Sequence, residues 1–329
     1  MFDLISIGDS MLDYFISLKE ASVLTSKKQM HLNLCVSYAD KVPAKSIDSQ
    51  VAGNASNVAT GATRLGLSTA LYSVLGDDMA GQQIQAKMKR EGVDTKYLIT
   101  DKGKKNNYSF VLSYQGERTI IVYHEPRKYV MPKFDTTQWI YFTSLGNTDG
   151  KNKSFLQLNK NIVSYVRKNK ISLAFNPGTF QLRMPKNLLI KIFQVSKVVF
   201  INVEEAMYVM GMKKNPGLKK LLETVSETGP QIVVITDGKN GSYCFDGKKY
   251  YHLGLFPAKI IDRTGAGDSY ATAFIASLFY NNSITEAMRW GTINSASVVS
   301  TLGPQDGLLT KQQIFAKLQK NPKFQVQEI

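Results

Sequence analysis

The tightest constraint on this chain is a rhythm: short runs rich in β-branched and aromatic residues alternate with helical patterns along most of its length. Residues 3–7 read as a strand ending at Gly8-Asp9, and residues 54–65 as a helix of small residues closed by Gly66. A strand over 70–75 and a helix over 81–91, ending at Gly92, come next. Strands over 139–142, 173–175, 198–201 and 231–236 then interleave with helices over 154–168 and 204–210. Strands separated by helices need crossover connections, which place them parallel in one sheet with helices on both faces. The expected fold class is therefore three-layer α/β/α with a mostly parallel central sheet.

Two stretches depart from that rhythm. Residues 14–39 include an alternating run over 31–38, and residues 107–114 and 118–124 flank a turn at Gly116. The second pair reads as a hairpin with Tyr108, Phe110, Leu112 and Tyr114 on one face. With no helix between them, these strands belong in a small antiparallel sheet outside the core. The expected division is a catalytic core of residues 1–13, 47–106 and 125–329 with a β lid of residues 14–46 and 107–124. Such a sheet also offers an edge to a second copy, so a homodimer through the lid is expected alongside the covering role. Towards the carboxy terminus, helices are expected over 269–278, from 284 to about 302, and over 311–319 with Thr310 as its cap.

Composition narrows the function classes. At 329 residues with 43% apolar content, the chain can bury a core without metal or disulfide staples. Cys35 and Cys244, its two cysteines, lie far apart in sequence and outside any CxxC arrangement, which fits a reducing compartment. No apolar run reaches membrane-span length, and residues 1–8 lack the pattern of a signal peptide, so a cytoplasmic protein without a membrane partner is expected. The net charge is +15, but the lysines are scattered in ones and twos. That reads as a solvated basic surface, and no nucleic-acid partner is expected.

The informative chemistry lies in Thr264-Gly-Ala-Gly267, set directly before a helical run. Glycines allow close backbone approach, and the unpaired amides of a helix start favour an anion. Asp268 in the first turn is then an oddity, because a carboxylate would repel a phosphate unless it had chemical work or held a cation. As a general base it would take a hydroxyl proton beside amides that stabilise developing phosphoryl charge; as a plain helix-start acid it would only answer the dipole. No GxxxxGK[ST] loop, protein-kinase signature or GxGxxG after the first strand is present. The three histidines, His31, His124 and His252, sit near no nucleophile elbow and read as surface or lid residues.

Asp262-Arg-Thr-Gly-Ala-Gly-Asp268 resembles the carboxy-terminal signature of the ribokinase-like (PfkB) carbohydrate kinases. Ala52-Gly-Asn-Ala-Ser-Asn-Val-Ala59, continued by Arg64-Leu-Gly66, Gly76-Asp-Asp78 and Gly81, is similar to the amino-terminal one. Asn202-Val-Glu-Glu205 matches an NxxE motif, Thr236 to Gly241 a TxGxxG turn, and Asp9 and Asp13 the opening strand and substrate aspartate. The resemblance implies a ribokinase-like fold and transfer of the ATP γ-phosphoryl group to a primary hydroxyl of a sugar. It makes Asp268 the base and Gly265, Ala266 and Gly267 the anion hole. Asp13, Gly53, Asn54 and Asn57 would bind the acceptor. Asn202, Thr236, Gly238, Gly241 and Asn294 would line the nucleotide, with Asn294 approaching adenine. Glu205 would hold Mg²⁺ through water, and Asp262 and Thr264 match two ligand positions for a monovalent cation such as K⁺. A nucleoside kinase of the same family is the alternative, with Tyr108, Phe110 and Tyr114 as faces on which a base stacks. Two departures stand out: Ala52 replaces a glycine and requires negative φ there, and Arg263 stands where a small or β-branched residue is usual.

Overall fold

Alternation along the strands divides the apolar residues between two helical layers. A computed structural model describes residues 1–25, 32–146 and 152–329. The described residues form a ten-stranded sheet in the order β7 (Leu98–Asp101), β6 (Thr69–Gly76), β1 (Phe2–Ile7), β10 (Thr137–Phe142), β11 (Ser172–Phe175), β12 (Ser196–Asn202), β13 (Ile232–Thr236), β14 (Ser242–Phe245), β15 (Tyr250–Leu253) and β16 (Gln327–Glu328). Pairings from β7 to β13 are parallel and those from β13 to β16 antiparallel. Ile5, Ile7, Ile140 and Phe142 pack towards α3 (Lys153–Asn169), α5 (Lys186–Val195), α6 (Val203–Met210) and α7 (Leu218–Ser226). Leu4, Trp139 and Tyr141 pack on the other face, towards α1 (Asn54–Arg64), α8 (Ala266–Phe279), α9 (Ile284–Val298) and α10 (Lys311–Lys320). Each fully buried Ile or Phe of this kind contributes about 1.5–3 kcal/mol. Helix α2 (Met79–Arg90) packs through Ile84 and Met88 against Ala55 and Ala59 of α1 and Leu71 and Leu75 of β6, and α4 (Thr179–Leu182) is one short turn after β11. The three-layer expectation holds.

The smaller sheet has the order β5 (Ala44–Ala52), β2 (Met11–Leu18), β8 (Asn107–Tyr114), β9 (Glu117–Tyr123), with a separate hairpin of β3 (Ser22–Thr25) and β4 (Leu32–Cys35). Its outer pairs are antiparallel, while β2 and β8 run parallel because the chain returns to β8 only after the long passage through α1, β6, α2 and β7. The β8–β9 turn falls at Gln115-Gly116, both at positive φ (51° and 83°), the geometry that suits a two-residue hairpin. The ladder continues to Met11↔Ala52, so Asp13 and residues 47–52 belong to lid strands rather than to the core. Of the alternating run at 31–38, Leu32 to Cys35 form β4, and His31 lies outside the described residues. Helix α9 stops at Val298, short of 302, and the Val299 carbonyl accepts from the Ile261 and Asp262 amides at 2.8 and 3.3 Å. The segment between β15 and α8 thereby takes over the end of the helix.

Candidate active site

Two helix starts meet where the parallel strands end. Ala52 closes β5 without positive φ, meeting the condition its substitution for glycine imposes. Gly53 follows at φ +100°, where a Cβ would lie 2.6 Å from the Asp9 carbonyl oxygen, so only glycine fits this entry into α1. The entry puts Asn54 in the first turn of α1 and Asn57 one turn on, on the same face. Gly265, at φ +76°, turns the chain into α8 against Pro304, and Asp268 lies in the first turn of that helix.

The asparagines and the acid meet directly. Asn54 Nδ2 donates to Asp268 Oδ1 at 2.9 Å, and Asn57 Nδ2 donates to Oδ2 at 2.8 Å. Burial pushes the Asp268 carboxyl up to about 6, with the two amides pulling it down against that. A carboxylate tuned to that value is matched to accepting a proton near neutral pH. Gly267 faces open space: a Cβ there would meet nothing within 4 Å. Room for an anion therefore lies beside the α8 amides.

Asp13 sits on β2 between Gln50 and Ser109 of the neighbouring strands. It is buried, its Oδ1 has no hydrogen-bond partner among the described residues, and burial raises it to about 7. Such an orphaned buried oxygen fits a ligand hydroxyl. Asp9, at the end of β1, is likewise buried and raised to about 7 by desolvation. Its Oδ1 accepts from Tyr129 Oη at 3.2 Å, and its Oδ2 has no partner among the described residues. A cavity of about 810 Å³ opens between the lid and residues 260–263, lined among others by Phe15, Ser17, Arg118, Asp262 and Arg263.

Of the residues expected to line the nucleotide, Asn202 and Thr236 are paired neighbours at the ends of β12 and β13. Gly238 and Gly241 bracket the turn that follows, and a Cβ on Gly241 would lie 2.1 Å from the Leu253 carbonyl oxygen. Asn202 and Glu205 form a reciprocal cap: Asn202 Oδ1 accepts from the Glu205 amide at 2.8 Å, and Glu205 Oε2 from the Asn202 amide at 3.0 Å. Burial raises the Glu205 carboxyl. Tyr141 is raised by its own burial and then by the charge of Asp268, with Glu205 a smaller influence. The cap uses one Glu205 oxygen and leaves the other as a hard oxygen donor, which fits a Mg²⁺ ion that keeps most of its waters.

Two expectations need correcting. Asn294 does not approach a nucleotide: it is fully buried, its Nδ2 donates to the Ser269 carbonyl at 2.8 Å, and its Oδ1 accepts from the Leu309 amide at 2.9 Å. With both ends of its amide used, it staples α9 to α8. Asp262 and Thr264 do not fit a monovalent cation either, since Asp262 Oδ1 accepts from Arg118 Nη1, from the Thr264 amide (3.1 Å) and from Thr264 Oγ1 (2.9 Å). Its Oδ2 accepts from the Gly303 amide at 3.2 Å.

Several site residues escape a reading of spacing. Gln305 donates to Asn57 Oδ1 at 3.1 Å and so fixes which end of that amide faces Asp268. Arg64 holds the same loop, donating to the Gln305 and Leu308 carbonyls at 2.8 and 3.2 Å. Arg118 reaches across from β9. Tyr108 and Phe110 stack with Tyr14, on the face opposite Asp13 and Ser109, and Tyr108 Oη donates to Asp78 at 2.6 Å. Those two rings pack on each other, and Tyr108 also on the α2 cap, on the face away from Asp13.

Fold and site together define a class: an α/β kinase with a second, smaller sheet and a buried acid at a helix start. Residues 18–311 match the family described as pfkB family carbohydrate kinase, and the chain belongs to that family. Among its relatives, the 5-dehydro-2-deoxygluconokinase of Shouchella clausii is 25% identical over 289 residues, covering 84% of this chain and 88% of that protein. That of Bacillus subtilis is 26% identical over 278 residues, covering 80% and 85%. Similar solved structures include a nucleoside kinase of Methanocaldococcus jannaschii, with TM-score 0.79, 20% identity and coverage of 97% and 99%. The Arabidopsis thaliana ribokinase complexed with ribose and ATP gives TM-score 0.77, 17% identity and coverage of 96% and 98%. The protein is a carbohydrate kinase.

Proposed function

We propose that this carbohydrate kinase passes the γ-phosphoryl group of ATP to a primary hydroxyl of its sugar, with Asp268 as the general base. The observation that carries the assignment is the pair of amide-to-carboxylate bonds joining the starts of α1 and α8. Asp13 binds acceptor hydroxyls, Asn54 and Asn57 aim the base, and the amides of Gly265, Ala266 and Gly267 receive charge that builds on the migrating group. Deprotonating the hydroxyl as the phosphoryl arrives leaves the proton on Asp268 Oδ and ADP as the leaving group. Asn202, Thr236, Gly238 and Gly241 follow the nucleotide phosphates. Glu205 would hold Mg²⁺ through water, and the ion would supply positive charge to the phosphates.

The acceptor class is a sugar or sugar acid, the reading favoured by relatives named 5-dehydro-2-deoxygluconokinase. The nucleoside alternative loses support because Tyr108 and Phe110 are stacked away from Asp13. The exposed row Ile120, Ile121, Val122 and Tyr123 on edge strand β9 supports a homodimer through the lid. Two free cysteines support a reducing, cytoplasmic setting, and no described helix is long and apolar enough to cross a membrane. The test is ADP formation with ATP and Mg²⁺ across ribose, fructose, 2-keto-3-deoxygluconate, 5-dehydro-2-deoxygluconate and adenosine. Turnover on a sugar or sugar acid is expected; turnover on adenosine alone contradicts the reading.

A further inference from the structure

We propose that Arg118 is a positioning residue that gives the anion-hole turn its own cation, in place of a bound monovalent ion. The inference rests on the phosphoryl-transfer reading above. Asp262 lies two residues before Thr264 and three before Gly265, and its side chain is only 6% exposed. A buried carboxylate so near a migrating phosphoryl group would oppose it unless a cation compensated its charge. The compensation comes from the lid. Arg118, in β9, places Nη1 against Asp262 Oδ1 and donates to Thr264 Oγ1 at 2.9 Å. Asp262 in turn holds the Thr264 and Gly303 amides, so one guanidinium fixes the turn before the hole and the loop behind it. Asp13, raised chiefly by its own burial, also feels both groups, Asp262 pushing its carboxyl up and Arg118 pulling it down, which places the pair within electrostatic reach of Asp13.

A guanidinium differs from an ion in two ways. It is charged at every working pH, and its planar fork imposes direction on the oxygens that it binds. Because it is carried by a lid strand, the turn is charge-balanced only while the lid lies over the site. Lid position and hole order are thereby coupled in a way that a diffusible ion would not provide.

The test compares K⁺ with tetramethylammonium at constant ionic strength, reading both melting temperature and the rate of ADP formation. For the wild-type protein, neither should change between the two salts. Arg118→Met should lower kcat at least about tenfold with a smaller change in the KM for ATP, and its melting temperature should become K⁺-dependent. Added guanidinium chloride at millimolar concentration should restore part of its rate, whereas a merely structural role would give no such rescue. A wild-type melting temperature or rate that rises with K⁺ overturns the proposal, as does an Arg118→Met variant with wild-type kcat. The wild-type comparison needs no variant to fold. Because the thermal readout needs no turnover, a protein inactive on every acceptor would refute the kinase assignment while leaving this inference decided by melting temperature.

Discussion

Removing the Asn54 side-chain amide should move the ionisation of Asp268 and with it the acid limb of the rate profile. Among the described residues, Asn54 Nδ2 bonds to Asp268 Oδ1 alone, at 2.9 Å, whereas Asn57 is tied to Gln305 as well. Asn54→Ala is therefore the cleaner change. A hydrogen bond to a charged group is worth about 1.5–3 kcal/mol, and about 1.4 kcal/mol corresponds to one pKa unit. The neutral carboxyl still accepts from the amide, more weakly, so the difference between the two forms lies at the low end, about one unit. Asp268 starts at about 6, where burial outweighs its two amide donors. With one donor gone, the midpoint should rise by about one unit. The assay is kcat/KM for the acceptor between pH 5 and 9, which reports the free enzyme's essential groups, alongside ¹³C titration of the Asp268 carboxyl. Asp9 and Asp13 also lie near 7, but neither is bonded to Asn54, so a limb set by them would stay in place. A midpoint that does not move refutes the account of how Asp268 is tuned.

The two glycines of the hole should respond differently. Gly265→Ala forces a side chain into φ +76° and against Pro304, costing about 1–2 kcal/mol in backbone terms alone, and should lower both melting temperature and kcat. Gly267→Ala meets no atom and should keep the melting temperature while lowering kcat, because its methyl occupies the anion's space. Asn294→Ala should destabilise by about 1–3 kcal/mol in urea unfolding, through the orphaned Ser269 carbonyl and Leu309 amide, and leave the KM for ATP unchanged. The ligand-free protein should lose stability as pH rises from about 4 towards 7. Asp9, Asp13 and Asp268 are all raised by burial, so the folded state binds more protons than the unfolded one across that window. For Asp268 the rise from 3.8 to about 6 corresponds to about 3 kcal/mol, and urea titrations at pH 4.5 and 7.5 read the trend directly.

Much of the fold was legible because strands buried on both faces, separated by helices, leave a parallel sheet as the consistent packing. The α1 and α8 starts were legible for a local reason: Gly53 and Gly265 must adopt positive φ, and the polar residues that follow are fixed by helix geometry. Contacts made across the chain were not. Gln305 on Asn57 and Arg118 on Asp262 join residues 248 and 144 positions apart, and no spacing rule connects them. Asn294 misled because a buried amide and a ligand-binding amide look alike in sequence; only its saturation by Ser269 and Leu309 separates them. The lid boundary shifted for a similar reason. Alternation marks a strand but not where its ladder ends, and the β2–β5 pairing runs on to Ala52, at the edge of the site.

The measurement closest to the central claim is phosphoryl transfer by Asp268→Asn at saturating ATP and acceptor, with ATP affinity determined in parallel by calorimetry. An amide cannot take the hydroxyl proton, so turnover should fall by about 10²–10⁴-fold while ATP binds within a few-fold of wild type. Turnover within tenfold of wild type would contradict the assignment of the base, and with it the role given to the meeting of the two helix starts.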